Sequence, residues 1–369
     1  MKTDFETAED TRWTGEAPAH PRPTLDLSRD GAAVWIKGLA RTFESGRRKE
    51  TKKTVVAVAG IDVAIGHGEL FGILGPNGAG KTTTMKILTT LLFPTTGEVR
   101  VAGFDAVEKP RDVRRRISLV TGGDNAGYGI LTVRESLWMF SQFYGVPNRV
   151  SRERSEMLLD RLGLREKADE RVNRLSTGFK QRLNFARGFM SDPEIVFLDE
   201  PTLGLDVESA RQLRTFLREW MAEKPGQRTV VLTTHYMAEA DELCDRIAII
   251  DRGKILATDT PQGLRQRVSA DRRVVIELDA GTPTDSLAHT PGVRLLRVSP
   301  PTERGTFAVH LAVSEGRAMR AVLDSLTAEG RVVHNLSTHD PSLEDVFVAI
   351  VGRGLDEADA GVDGGGGAA

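Results

Sequence analysis

The run Gly75-Pro-Asn-Gly-Ala-Gly-Lys-Thr-Thr83 sets a glycine, four residues, and then glycine, lysine and threonine in order. Glycines at 75, 78 and 80 let the backbone curl so that successive N–H groups face inward, where side chains would block close approach of an anion. The apolar stretch Leu70–Leu74 precedes the run and a helical pattern starts at Lys81. The loop therefore opens onto a helix N-terminus, whose partial positive charge adds to the amides. This is the chemistry of a phosphate cradle. Lys81 is expected to reach the β and γ phosphates of a nucleotide, and Thr82 to place its hydroxyl on Mg2+. Asn77, Gly78, Ala79, Gly80 and Thr83 complete the expected contacts. The flanking strand and helix argue against a chance glycine-rich turn. The motif fits kinases, GTPases and many ATPases alike, so it specifies a nucleotide and not a task.

A second constellation follows. Ile195-Val-Phe-Leu-Asp-Glu-Pro201 is an apolar strand ending in two adjacent carboxylates. Alternation along a strand sends neighbours to opposite sides, which separates the duties of Asp199 and Glu200. The first can hold Mg2+ through water, and the second can polarise a water in line with the γ-phosphate. An acidic turn after an apolar strand is common in any fold. Downstream of a phosphate loop it points to hydrolysis.

Further residues carry a family resemblance. Leu175-Ser-Thr-Gly-Phe-Lys-Gln-Arg-Leu183 looks like the signature of ABC ATPases, usually written L-S-G-G-Q, and lies just upstream of Asp199. Leu203-Gly-Leu-Asp206 resembles the D-loop of that family, and Thr233-Thr-His235 its switch histidine. Phe43 sits where the family places an aromatic that stacks on adenine; a plain core residue is the other reading. These elements occur in family order over about residues 34 to 260. The resemblance implies ATP and Mg2+ as ligands and a head-to-tail homodimer that sandwiches two ATP molecules. Ser176 and Gly178 would face the γ-phosphate held by the opposite subunit, with Asp206 beside them. His235 would orient water against Glu200, and the catalytic set would be Glu200, His235 and Lys81. The implied partner is a separately encoded membrane-spanning permease.

The chain departs from the pattern in two places. Thr177 replaces the first signature glycine and Phe179 the glutamine, a variant that resembles exporters of the type-2 ABC class. Counting back from Leu131-Thr-Val-Arg-Glu135, the Q-loop glutamine is missing from Val120-Thr-Gly-Gly-Asp-Asn125. Asp124 is the substitute oxygen ligand to Mg2+, through water, that we expect there. Near the C-terminus, Pro341-Ser-Leu-Glu-Asp-Val-Phe347 looks like the ending of drug-resistance ATPases similar to the daunorubicin-exporter subunit. It also reads as a capped helix start, with Ser342 as N-cap and Asp345 three residues on.

The elements that must position these residues read as an α/β fold, a P-loop NTPase core of ABC ATPase type with a helical subdomain. Residues 55–65, 70–74, 194–198, 229–233 and 246–250 are expected strands of a parallel core, and 81–92 and 208–222 helices. The helical subdomain covers about 125–180. From 271 to 351 the pattern suggests a small α+β domain in strand–helix–strand–strand–helix–strand order, which would be ferredoxin-like. Residues 1–31 and 352–369 read as a polar arm and a glycine-rich tail around the 32–270 nucleotide-binding domain. The charged run 45–53 reads as a solvated hairpin tip.

Bulk properties narrow the classes. A chain of 369 residues, 40% hydrophobic, is large enough for two domains. A formal net charge of −2 argues against sequence-blind nucleic-acid binding. The single cysteine, Cys244, rules out a disulfide framework or zinc cluster. No stretch approaches the roughly 18 apolar residues of a membrane span, and the N-terminus has no signal core. The expectation is a cytoplasmic protein, peripheral at the inner face of the membrane through its partner. The rival reading is a soluble ABC ATPase acting on ribosomes or DNA. The single nucleotide domain, and the lack of long heptads or zinc cysteines, count against it.

Overall fold

The computed structural model describes residues 26–45, 53–122, 128–267, 272–279, 287, 290–299, 306–314, 316–339 and 341–352. Asp124, most of the N-terminal arm, residues 46–52 of the charged run and the tail after Gly352 lie outside them.

The central sheet has the order β10-β9-β3-β8-β7-β6. Its strands are β3 (Leu70–Leu74), β6 (Ile117–Thr121), β7 (Ile195–Asp199), β8 (Thr229–Thr234), β9 (Arg246–Asp251) and β10 (Lys254–Asp259). The first five pair in parallel, and β10 adds an antiparallel edge. Every residue of β3, β7 and β8 is buried, as continuous Val, Ile, Leu and Phe runs require when helices cover both faces. The carboxy ends of these three strands carry the phosphate loop, the two carboxylates and the histidine. That is where open α/β sheets place their ligands.

Residues 55–65 do not belong to the parallel core as expected. They lie in β2 (Lys53–Ile65), part of a second, antiparallel sheet with β1 (Val34–Ser45), β4 (Thr96–Val101) and β5 (Phe104–Asp105), ordered β2-β1-β4-β5. The reason is legible in burial: Ile61, Val63 and Ile65 are buried while Asp62 is exposed, the period-two pattern of a sheet with one wet face. The expected helix 81–92 is also shorter, with α1 ending at Leu88 (Lys81–Leu88). The Thr89 hydroxyl donates back to Met85 O at 2.8 Å, and Thr90 turns left-handed at φ 62°. The amides of Leu91 and Leu92 then fold back onto Lys86 O.

After the short α2 (Pro110–Arg114), the insert contains α3 (Val133–Phe143) and α4 (Asn148–Arg161), and α5 (Thr177–Phe189) follows it. Thr132 and Glu135 close a capping box at the start of α3. Leu137, Leu158 and Leu159 share one core with Phe185 and Phe189 of α5 and with α6 (Val207–Glu223). In it Phe189 stands edge-on to Phe216 and Trp220 at 4.9 Å.

Beyond α7 (Met237–Leu243) and α8 (Pro261–Arg267), four antiparallel strands form a separate sheet. These are β11 (Arg272–Leu278), β12 (Val293–Val298), β13 (Phe307–Val313) and β14 (Val333–His339), ordered β12-β13-β11-β14. That is the neighbour order of a ferredoxin-like sheet. Ala318, Val322 and Leu326 of the helix Gly316–Ala328 fill its core. The last helix, Leu343–Val351, leaves this sheet. Its Leu343, Val346 and Phe347 enter the same core as Leu243 and Leu264. Among the described residues, no helix is long and apolar enough to cross a membrane.

Candidate nucleotide site

Gly80 is the N-cap of α1 and supplies no side-chain cap, so the first-turn amides of the helix are left to a ligand. Its φ of 105° favours glycine, and a Cβ there would stand 2.4 Å from Ala57 O of β2. Lys81, only 4% exposed, folds back over the loop. Its ammonium donates to Gly75 O at 2.8 Å and Pro76 O at 3.1 Å and lies 3.2 Å from Glu200 Oε1.

Asp199 closes β7 and faces the loop. Its Oδ1 accepts from the Thr82 hydroxyl at 3.2 Å and from the Thr233 hydroxyl at 2.5 Å. A hydroxyl beside a carboxylate is a hard-oxygen set that fits Mg2+, which completes its shell with water and substrate phosphates. Glu200 does point elsewhere, but strand alternation is not the whole cause. β7 stops at Asp199, and Glu200 takes a left-handed backbone, φ 51°. Its N–H donates to Thr233 O at 3.0 Å, which holds that turn. The carboxylate then lies between Lys81 and His235, with Oε2 3.4 Å from His235 Nδ1. The His235 ring packs on Tyr236 at 4.0 Å between centroids.

Ser176 and Asp206 sit at two other helix starts. Ser176 caps α5, its hydroxyl accepting from the Phe179 amide at 3.5 Å. Asp206 caps α6 and accepts from the amide and hydroxyl of Ser209, both at 2.8 Å, which hold its pKa below the usual aspartate value. A Cβ on Gly178 would stand 4.0 Å from Asp206 Oδ2, so these two motifs adjoin within one chain. Asn77, Gly78, Ala79 and Thr83 lie in the loop and the first turn of α1. Phe43 is exposed on β1, which excludes the core alternative considered for it. Asp124 lies outside the described residues.

Two participants escaped the sequence reading. Thr233 stood in a recognised motif without a role, yet its hydroxyl joins Asp199 and its carbonyl holds Glu200. Gly122 follows β6, with its N–H on Asp199 O at 2.7 Å, and a Cβ on it would stand 2.4 Å from Glu200 O. Its only signal was a glycine directly after a buried strand.

Known proteins match this chain over most of its length. The family profile described as ABC transporter matches residues 58–203, and that of the ATP-binding protein DrrA1-3-like C-terminal domain matches 260–351. The daunorubicin resistance ATP-binding protein DrrA2 of Streptomyces coeruleorubidus is 36% identical over 90% of this chain and 98% of its own. The Nod factor export ATP-binding protein I of Burkholderia orbicola is 35% identical over 82% of this chain and 94% of its own. Among solved structures, the ATP-binding subunit of an ABC transporter aligns with a TM-score of 0.55 at 26% identity, over 64% of this chain and 92% of that one. A dimeric ATP-binding cassette in a post-hydrolysis state with ADP and Pi aligns with a TM-score of 0.55 at 27% identity, over 62% and 98%.

Proposed function

The chain belongs to the ABC transporter family as an ATP-hydrolysing subunit, and from that premise we propose that it powers a separately encoded membrane permease that exports a drug-like or lipophilic substrate. The observation that carries the mechanism is the line Lys81–Glu200–His235, set beside Thr82 and Asp199 at the carboxy ends of adjacent strands. The loop amides and Lys81 bind the β and γ phosphates. Thr82 and Asp199 hold Mg2+, which when bound neutralises phosphate charge. Glu200 polarises the attacking water, and His235 fixes the γ-phosphate against it. Phe43 receives the adenine. Asp124 is our candidate for the missing Q-loop oxygen, a role that Asp124→Ala would remove if ATPase activity and transport both stayed intact.

Ser176 and Gly178 serve the ATP of a second copy, with Asp206 beside them, so two chains close head to tail around two nucleotides. Closure depends on the γ-phosphate because only that group bridges the two copies, and hydrolysis removes the bias. The relatives named for daunorubicin resistance and Nod factor export support export as the direction. On this reading the chain works at the inner face of the membrane, held there by its permease, and binds no nucleic acid.

Size-exclusion chromatography with light scattering on Glu200→Gln protein tests the core of this. A dimer with Mg-ATP that reverts to monomer with Mg-ADP is expected. Monomer under both conditions would sink nucleotide-driven closure by this chain alone.

A further inference from the structure

Phe43 does not stand alone on β1. The guanidinium carbon of Arg41, two residues back on the same strand, lies 4.6 Å from the centre of the Phe43 ring. Arg41 is itself anchored, since Nη1 donates to Phe93 O at 3.1 Å, and its buried Nε has no hydrogen-bond partner among the described residues. Phe43 is 38% exposed, and Val55, directly opposite it on β2, is 48% exposed. The ladder places this apolar step beside the phosphate loop. Arg41 pairs with Val58 and Thr42 with Val56, so Ala57 bulges out of register, and its carbonyl abuts Gly80.

A phenylalanine ring has two faces. When a cation covers one, it draws π density toward itself and leaves the other face better suited to an electron-rich base. It also stops the ring from turning, so less freedom is lost when a ligand stacks. We propose that Arg41 is a positioning residue for the nucleotide, holding Phe43 from behind so that its other face receives the adenine. This rests on the proposed adenine role of Phe43. Arg41 acts on the base through the ring and leaves the phosphates to the loop.

Calorimetric titration of the full chain with ATP, and separately with tripolyphosphate, which has no base, tests the proposal. All variants are compared in the Glu200→Gln background to prevent turnover. Arg41→Leu is expected to weaken ATP binding about two- to fivefold, the size of one cation–π contact, and to leave tripolyphosphate binding unchanged. With Phe43→Ala already present, adding Arg41→Leu should weaken ATP binding no further. An equal loss with tripolyphosphate, or an undiminished effect without the ring, would mean that the guanidinium acts directly on charge and would overturn the proposal. Unchanged ATP affinity in Arg41→Leu, with Phe43→Ala weakened, would overturn it and leave the adenine role standing. Unchanged affinity in Phe43→Ala would remove both.

Discussion

Lys81 at the start of α1 and Glu200 just after β7 face each other, Nζ 3.2 Å from Oε1, and the same ammonium is held by the carbonyls of Gly75 and Pro76. The ammonium is therefore held by two hydrogen-bonded carbonyls and one ion-paired carboxylate. On the proposed roles, a γ-phosphate that enters the loop would compete with Glu200 for Lys81, and the displaced carboxylate would then be free to turn to water. Binding and activation of the base would then be linked by one exchange of partners. Glu200→Gln should keep ATP binding and lose about 3 kcal/mol of transition-state stabilisation, roughly a hundredfold or more in turnover. Phosphate release under single-turnover conditions reads this directly, and near-normal turnover would remove Glu200 as the base. Lys81→Ala should instead fail at both binding and chemistry.

Gly122 tests whether the backbone at Glu200 matters as much as its carboxylate. A methyl at this position would meet Glu200 O at 2.4 Å, and its three nearest neighbours are all backbone atoms with little room to yield. Glu200 already holds a left-handed φ of 51°. Gly122→Ala should shift the base by a fraction of an ångström and slow turnover about ten- to a hundredfold, with much less effect on ATP affinity. Equal losses in affinity and turnover would point to a general distortion of the fold.

What the sequence disclosed and what it hid divide along one line. Leu70–Leu74, the loop after it and the apolar run before Asp199 are local patterns, and local spacing is enough to read them. The antiparallel sheet was missed because β2 is apolar enough to pass for a core strand, and only its partners decide its direction. The turn that aims Glu200 depends on Thr233, more than thirty residues away, so no pattern near Glu200 announces it. Gly122 matters for the same reason. The stack of Arg41 on Phe43 is a two-residue spacing in plain view, but its meaning needs the outward face of β1.

The closing helix Leu343–Val351 offers a stability test. Its Ser342–Asp345 capping box and the Arg273–Asp345 ion pair at 3.1 Å fix its start against the C-terminal sheet. Phe347 is fully buried in the core shared with α7 and α8. Phe347→Ala should cost about 3–5 kcal/mol if that core behaves as one cooperative unit. Denaturant unfolding followed by tryptophan fluorescence suits the measurement, because Trp220 lies in the same core. A loss well under 1 kcal/mol, or a separate early transition, would mean that the helix docks only loosely.

Glu239 gives a prediction in pH. It lies in the first turn of α7, four residues after His235, and is 4% exposed. Burial raises its pKa above 4.5, since both carboxylate oxygens lack a hydrogen-bond partner among the described residues and the charge of Arg214 does not offset the lost hydration. Between 4.5 and the raised value the folded chain binds more protons than the unfolded one. This carboxyl therefore makes stability fall as pH rises through that window. Glu239→Gln keeps the shape and cannot ionise. Its melting temperature relative to the native chain should therefore climb as pH rises above 4.5 and level off beyond the folded pKa. Paired thermal melts from pH 4.5 upward measure the difference, and a difference that stays constant with pH would mean that Glu239 carries its charge in the folded protein without penalty.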